Sequence, residues 1–165
     1  DMYGKDRAKL GGTGLGLVAL SCIENIQPGF TSQETLESLA RFIKFMQMDD
    51  GSFYSFYTPA YGGKDNSHIS LFYPGEAMLG LVMLYELYPS KEWLDVVSRG
   101  LTYLGESRAG SDSIPADHWA MIASAKLLST ELQHTLEISE ELIISHGIQV
   151  STTILNKQVY KQAIL

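Results

Sequence analysis

Carboxylates, an imidazole and aromatic rings stand at the beginnings of two predicted apolar helices. Glu76 follows a Tyr-Pro-Gly sequence at one helix start, and Asp117, His118 and Trp119 lie at the start of a later helix. A carboxylate or an imidazole can carry a proton to or from a reacting group, and aromatic rings line the sites that bind small ligands. We therefore take Glu76, Asp117 and His118 as the candidate catalytic residues.

A long aromatic segment between the second and third predicted helices supplies further candidates. It opens with Asp49-Asp50-Gly51 and continues to about Phe72. Because antiparallel helices place alternate helix starts at the same end, this segment should deliver its side chains near Glu76. The predicted substrate-binding residues are Tyr54, Tyr57, Tyr73, Trp119 and Asp50.

Several of these candidates also have a purely structural explanation. The helix dipole alone favours an acid in the first helical turn, where Glu76 lies. Asp117 can serve as the N-cap of its helix, and Asp50 beside a glycine is a common turn composition. Capping explains His118 less easily. The sequence leaves the functional and the structural explanation open for Glu76 and Asp117.

The elements that must position these residues are helices. Apolar residues at helical spacing, capping residues and Gly or Pro breaks predict six of them. They cover Leu10–Asn25, 32–48, Gly75–Tyr88, 91–107, Pro115–Ser129 and Leu136–His146. No segment outside residues 147–165 alternates over the length of a strand, and the run Val150–Ile154 is ambiguous. The predicted class is all-α.

The helices alternate in character along the chain. The first, third and fifth are apolar nearly all round, whereas the second and fourth have a charged face. Repeated hairpins of this kind must stack to bury their apolar faces. We therefore predict antiparallel hairpins forming part of an α/α toroid over residues 1–146, with residues 147–165 as a tail. An irregular helical bundle is the alternative.

A motif at the end of the second helix resembles a known repeat. FIKFMQ at 42–47 is followed by DDGSF at 49–53. This resembles the repeat motif of the α/α-toroid terpenoid cyclases, with Phe53 where tryptophan is usual. The Gln-x-x-Asp-Gly-Ser pattern is also similar to six-hairpin sugar-processing enzymes. In this motif the glutamine amide is expected to tie the helix end to the next helix start, and the glycine to allow a left-handed turn.

The resemblance covers roughly residues 10–128 and has consequences for the site. It implies that the active site lies at the N-terminal ends of the inner helices, where Glu76 and Asp117 are predicted. Three hairpins are half of a closed six-hairpin toroid, so we expect a fragment or the end of a longer protein. The absence of methionine at Asp1 agrees with this and leaves the compartment open.

Composition and missing motifs exclude several functions. A net charge of −7 with mixed acids and bases argues against nucleic acid and anionic membranes. No apolar run reaches the roughly 18 residues of a membrane span. The single Cys22 is predicted to be buried, so it does not support the zinc site of prenyltransferases and lanthipeptide cyclases. The GGTGLG sequence at 11–16 lacks the strand that should precede a dinucleotide loop. We predict no metal and no cofactor.

These observations favour a carbohydrate-active protein. Glu76 and Asp117 would act as acid and base, or nucleophile, in a hydrolase, lyase or epimerase. The partner would be a saccharide or another small molecule, and a homodimer or the missing part of a toroid would cover the exposed helix flanks. The alternative is a non-catalytic helical-repeat binding module. A terpenoid-type cyclase is a distant third, because its Asp-x-Asp-Asp motif is missing.

Overall fold

The computed structural model describes residues 7–61, 63–65 and 67–162. The all-α class is confirmed, with one small sheet added. The elements in chain order are β1 (Ala8–Lys9), α1 (Leu10–Ile26), α2 (Gln33–Phe45), β2 (Phe56–Thr58), a 3-10 turn (Pro59–Tyr61), β3 (Gly63–Asp65), α3 (Tyr73–Leu87), α4 (Lys91–Arg108), α5 (His118–Ser129) and α6 (Glu140–Gln162). None of the described helices is long and apolar enough to cross a membrane.

Three helices begin at capping residues that the sequence supplies. Ser32 accepts a hydrogen bond from the Thr35 amide, Ser90 accepts one from Glu92, and Asp117 accepts one from Ala120. Each of these bonds satisfies an amide that has no partner within its helix. The first five predicted helices therefore agree with the structure to within a few residues at each end.

The last helix is longer than predicted. α6 begins at Glu140 and continues through the ambiguous run Val150–Ile154. Val150 is fully buried, and the Thr152 and Thr153 hydroxyls donate to carbonyls four residues earlier. Packing and these internal bonds override the preference of β-branched residues for strands. The predicted division between residues 146 and 147 thus falls inside one helix.

The three-stranded antiparallel sheet was not predicted from the sequence. β2 lies in the middle, with Ala8 of β1 opposite Tyr57 and Asp65 of β3 opposite Phe56. Strands of two or three residues are too short to show an alternating pattern. The sheet joins the segment that enters α1 to the segment that leads to α3.

The helices pack in two rows, with α3 at the centre. α1, α3 and α5 are neighbours in one row, and α2, α4 and α6 contact one another in the second. Glycines allow the first row to pack closely. A Cβ atom on Gly14 would lie 2.6 Å from the Ala77 nitrogen, and one on Gly75 would overlap the Ala120 nitrogen. No side chain fits between the backbones at these two positions.

The sequence Leu-Gly-Leu-Val occurs twice, at 15–18 in α1 and at 79–82 in α3. Gly80 lies against α1, because a Cβ atom there would be 2.8 Å from the Gly14 carbonyl oxygen. A Cβ atom on Gly16 would meet no atom of another element within 4 Å among the described residues. Among the described residues, the glycine of this repeat in α3 packs against α1, whereas the glycine of the repeat in α1 packs against no other element. Cys22 lies exposed on α1, so the prediction that it is buried was wrong.

Two alanine substitutions in α1 test this packing. We expect Gly14→Ala to lower the free energy of unfolding by about 2 kcal/mol, because the new methyl group meets the α3 backbone. Gly16→Ala should raise it by about 0.5–1 kcal/mol, since alanine favours a helix and meets no other atom. Urea denaturation of both variants measures the two effects. Equal changes in the two variants would contradict the close contact between α1 and α3.

The turn after α2 behaves partly as the motif predicts. Gly51 has a φ of 90°, the left-handed conformation that glycine accepts without strain. The Gln47 side-chain amide donates to the carbonyls of Gly51 at 3.2 Å and Val96 at 2.9 Å. Gln47 therefore ties the turn to the interior of α4, and not to the start of the next helix.

Candidate functional site

The starts of α1, α3 and α5 lie side by side, as the hairpin pattern predicts. Gly11 at the start of α1 lies directly against the side chains of Tyr73 and Glu76. Gly75 in the first turn of α3 lies against Trp119 and Ala120 of α5. Glu76 therefore lies at the junction of three helix starts.

Glu76 is buried at this junction. Its residue is 8% exposed, and no described residue donates a hydrogen bond to its carboxylate. Burial raises the pKa of Glu76, the negative charge of Asp117 raises it further, and His118 lowers it. The carboxylate does not fold back onto the amides of its own helix. Glu76 therefore forms no capping hydrogen bond, while its position in the first turn of α3 still agrees with the helix-dipole explanation.

Asp117, unlike Glu76, accepts hydrogen bonds from its neighbours. It is fully buried, and both of its carboxylate oxygens are occupied. Oδ1 accepts from the Ala120 amide at 3.1 Å, and Oδ2 accepts from Arg108 Nη2 at 2.8 Å. Asp117 therefore caps α5 and forms a buried ion pair with α4, so each of its oxygens already accepts one hydrogen bond.

His146 completes this buried cluster, which we call the Arg108 cluster (Arg108, Asp117 and His146). Arg108 Nη1 lies 3.1 Å from His146 Nε2, and His146 is 3% exposed. Burial first, and the Arg108 charge second, lower the pKa of His146 to about 4. A histidine in the last, weakly patterned predicted helix is expected on the surface, and the burial of His146 shows that this expectation is wrong.

Exposed rings border Glu76 on the side of α5. The Phe72 and His118 rings have centroids 5.7 Å apart, and the His118 and Trp119 rings are 5.1 Å apart. Phe72 is 40% exposed, His118 is exposed and Trp119 is half-buried. These three rings form an accessible apolar surface next to a buried carboxylate.

A second group of rings lies at the sheet. The Phe56 ring packs edge-on against Tyr73 at 5.9 Å and lies 5.8 Å from His68. The Arg7 guanidinium covers Phe56 at 3.3 Å from the ring centroid. β2 thus supports Tyr73, and Tyr73 in turn contacts the start of α1.

Ser55 links the start of α1 to the chain that enters α3. Its carbonyl accepts from the Leu10 amide at 3.0 Å, and its hydroxyl accepts from the Ser70 amide at 2.7 Å. Ser55 is 2% exposed. One residue of the long segment therefore fixes the distance between the start of α1 and the chain that enters α3.

The other predicted binding residues have local structural contacts. Tyr57 packs edge-on against Phe42 and Phe45 of α2, because neighbouring residues of β2 point to opposite faces. Tyr54 is half-buried against the core beneath Lys64. Asp50 accepts from the Ser52 hydroxyl at 2.6 Å and the Ser52 amide at 2.9 Å. Of the predicted binding residues, Tyr73 lies beside Glu76 with Phe56 behind it, and Trp119 belongs to the group of rings on the α5 side.

Sequence reasoning missed four residues of this region. Phe56 and Phe72 lie in a segment without periodicity, so nothing in the sequence indicated where they point. Arg108 in a last helical turn is ordinary, because the helix dipole favours a cation there. His146 did carry a signal, since it stands three residues after Ile143 and four before Val150, on the buried stripe of α6.

Comparison with known proteins yields no relative: no family model, curated protein or solved structure matches the chain. Within residues 7–61, 63–65 and 67–162, no three His, Cys, Asp or Glu side chains are grouped so that they could hold a metal ion. The candidate site is therefore interpreted from its own geometry alone.

The environment of Glu76 predicts a stability cost. A carboxyl group whose pKa is raised in the folded state destabilises that state at pH values above the folded pKa. We expect Glu76→Gln to raise the free energy of unfolding by about 1 kcal/mol at pH 8, and this gain should vanish below pH 4.5, the ordinary value. Urea denaturation at several pH values measures this change in the free energy of unfolding.

Glu86→Gln is the control, because Glu86 pairs with Lys126 at 2.7 Å at the far end of α3. A loss of stability in Glu76→Gln at pH 8 would show that the carboxylate has a partner.

Proposed function

We propose that the protein is carbohydrate-active, binding a saccharide at the starts of α3 and α5 where Glu76 transfers a proton. The observation that supports this most is the condition of Glu76. It is buried, has a raised pKa, and has no hydrogen-bond donor among the described residues. A carboxyl group with a raised pKa retains its proton closer to neutral pH, as a general acid must.

The contacts around Glu76 suggest a role for each residue in this proposal. Glu76 is the proton donor or acceptor, and the exposed His118 imidazole is the second group that can exchange a proton. Asp117 acts on Glu76 through its charge, since both of its oxygens already accept hydrogen bonds. Phe72 and Trp119 offer flat surfaces for the apolar face of a sugar ring.

We also propose that the two rows of helices belong to an α/α toroid. The adjacent starts of α1, α3 and α5 support this arrangement, as does the open face of α1 at Gly16. In a toroid a further inner helix would cover that face. A terpenoid cyclase remains the least supported option, because it needs a third acid beside Glu76.

Saccharide binding tests the proposal directly. A panel of defined oligosaccharides is titrated into the protein by calorimetry and by ligand-observed NMR. Trp119→Ala should weaken binding roughly tenfold through the loss of one stacking surface. Glu76→Gln should keep the affinity and reduce any turnover at least about 100-fold.

Two variants control for general effects. Phe30→Ala removes an aromatic ring that is 57% exposed in the connection between α1 and α2, and Glu86→Gln removes a carboxylate at the other end of α3. Both should bind and turn over like the wild type. If no oligosaccharide binds, or if Phe30→Ala weakens binding as much as Trp119→Ala does, the proposal is wrong.

The second candidate function is a non-catalytic binding module. The observation that favours it is the structural role of Asp117, which caps α5 and pairs with Arg108 and so is not a free second carboxylate beside Glu76. This candidate predicts binding without turnover, and it predicts that Glu76→Gln changes nothing except stability.

A further inference from the structure

The Arg108 cluster lies directly behind the start of α5. Its members come from three helices, with Arg108 at the end of α4, Asp117 at the N-cap of α5 and His146 within α6. All three residues are less than a tenth exposed. The cluster therefore connects the C-terminal helix to the side of the candidate site that carries His118 and Trp119.

The hydrogen bonds form a continuous chain. His146 Nε2 accepts from Arg108 Nη1 at 3.1 Å, Arg108 Nη2 donates to Asp117 Oδ2 at 2.8 Å, and Asp117 Oδ1 accepts from the Ala120 amide at 3.1 Å. Gln149 of α6 adds a bond from its side-chain amide to the Arg108 carbonyl at 2.9 Å. Arg108 is thus held from α6 on one side and holds Asp117 on the other.

The state of His146 follows from this geometry. Because Arg108 can only donate, His146 Nε2 must accept, and the imidazole proton lies on Nδ1. Nδ1 is buried and has no partner among the described residues. An unpaired buried N–H costs free energy, and apolar residues of similar volume often replace buried ion pairs without loss of stability. Stability alone is therefore a poor explanation for this arrangement.

We propose that Arg108 and His146 are positioning residues of the Glu76 site, which orient Asp117 and thereby place His118 and Trp119 opposite Glu76. This inference rests on the proposed function, because the two residues would position a saccharide site. The positioning itself can be tested without a saccharide. The first turn of α3 packs on α5, since Gly75 lies against Trp119 and Ala120. The charges of Asp117 and His118 act on Glu76 from α5, and its neighbour in α1 is the uncharged Gly11. A change in the contact between Arg108 and Asp117 should therefore change the titration midpoint of Glu76.

The test measures the titration of Glu76 by carbon NMR of its labelled carboxyl group in the full chain. His146→Leu removes the acceptor that holds Arg108 Nη1, so the guanidinium and the Asp117 that it binds change position and the Glu76 midpoint should shift. The indole resonance of Trp119 should shift in the same variant, while that of the core residue Trp93 stays in place. His146→Gln supplies an oxygen that can accept from Arg108 and should restore both wild-type values.

His134→Gln is the matched control, because His134 pairs with Tyr85 at 3.1 Å at the other end of α3. It should leave the Glu76 midpoint unchanged. If His146→Leu does not fold, Arg108→Lys serves instead, since lysine keeps the charge but replaces the rigid two-nitrogen fork that bonds His146 and Asp117 with a single nitrogen.

Unchanged Glu76 and Trp119 signals in a folded His146→Leu or Arg108→Lys variant would overturn the inference and leave the cluster a structural one. The saccharide titration described above is a separate readout. A protein that binds no saccharide but shows the Glu76 shift disproves the proposed function only.

Discussion

Arg108→Met should lower the free energy of unfolding by about 3–5 kcal/mol. Arg108 is 7% exposed and neutralises Asp117, which is fully buried. Methionine fills a similar volume but leaves the carboxylate of Asp117 without its cation in the protein interior. The cost arises mainly from that uncompensated charge, and His146 also loses its hydrogen-bond donor.

Urea denaturation at pH 7 measures this loss, and two variants define its cause. Arg41→Met removes an arginine that is 47% exposed and pairs with Glu34 and Glu37 on the surface of α2, so it should cost less than about 1 kcal/mol. Adding Asp117→Asn to Arg108→Met should recover part of the loss, since no buried charge then remains unpaired. If Arg108→Met costs no more than Arg41→Met, the buried ion pair has been misinterpreted.

Acid should destabilise the protein through His146. Its pKa is about 4 in the folded state against 6.5 in the unfolded chain, so the unfolded chain binds the proton first as the pH falls. The stability associated with neutral His146 is complete above pH 6.5 and declines down to pH 4. The difference of about 2.5 pKa units corresponds to about 3 kcal/mol.

Comparison with His146→Leu isolates this contribution. Both proteins keep the other acid-sensitive groups, such as Glu24, whose pKa is lowered by hydrogen bonds from the Gly29 and Thr31 amides. The difference in unfolding free energy between wild type and variant, followed by urea denaturation from pH 8 to pH 4, should therefore change by about 3 kcal/mol. Parallel curves over this range would show that His146 is protonated in the folded protein or is not buried.

The sequence was most informative where a pattern repeats over several turns. The amphipathic α2 and α4 and the apolar α3 were predicted with nearly correct ends, because their caps Ser32 and Ser90 and the breaks after them are local signals. The sheet was missed because its strands are too short to have a period. α6 was cut short because β-branched residues at 150–154 favour a strand when considered alone.

The site was predictable in outline but not in chemistry. The helix pattern predicted that Glu76 and Asp117 lie at the same end of the helices, and the structure places both there. The sequence could not show that Asp117 pairs with Arg108 whereas Glu76 has no arginine or lysine partner among the described residues, because that difference depends on which helix packs behind each carboxylate. Cys22 illustrates the same limit, since an apolar helix has an exposed flank wherever no neighbour covers it.

Ser55 gives the long segment between α2 and α3 an unusual property. Connections of this kind normally tolerate insertions, because their backbone is solvated and their ends are independent. Here the Ser55 carbonyl and hydroxyl bind the Leu10 and Ser70 amides at once. An insertion that displaced Ser55 would therefore release the start of α1 and the chain that enters α3 at the same time.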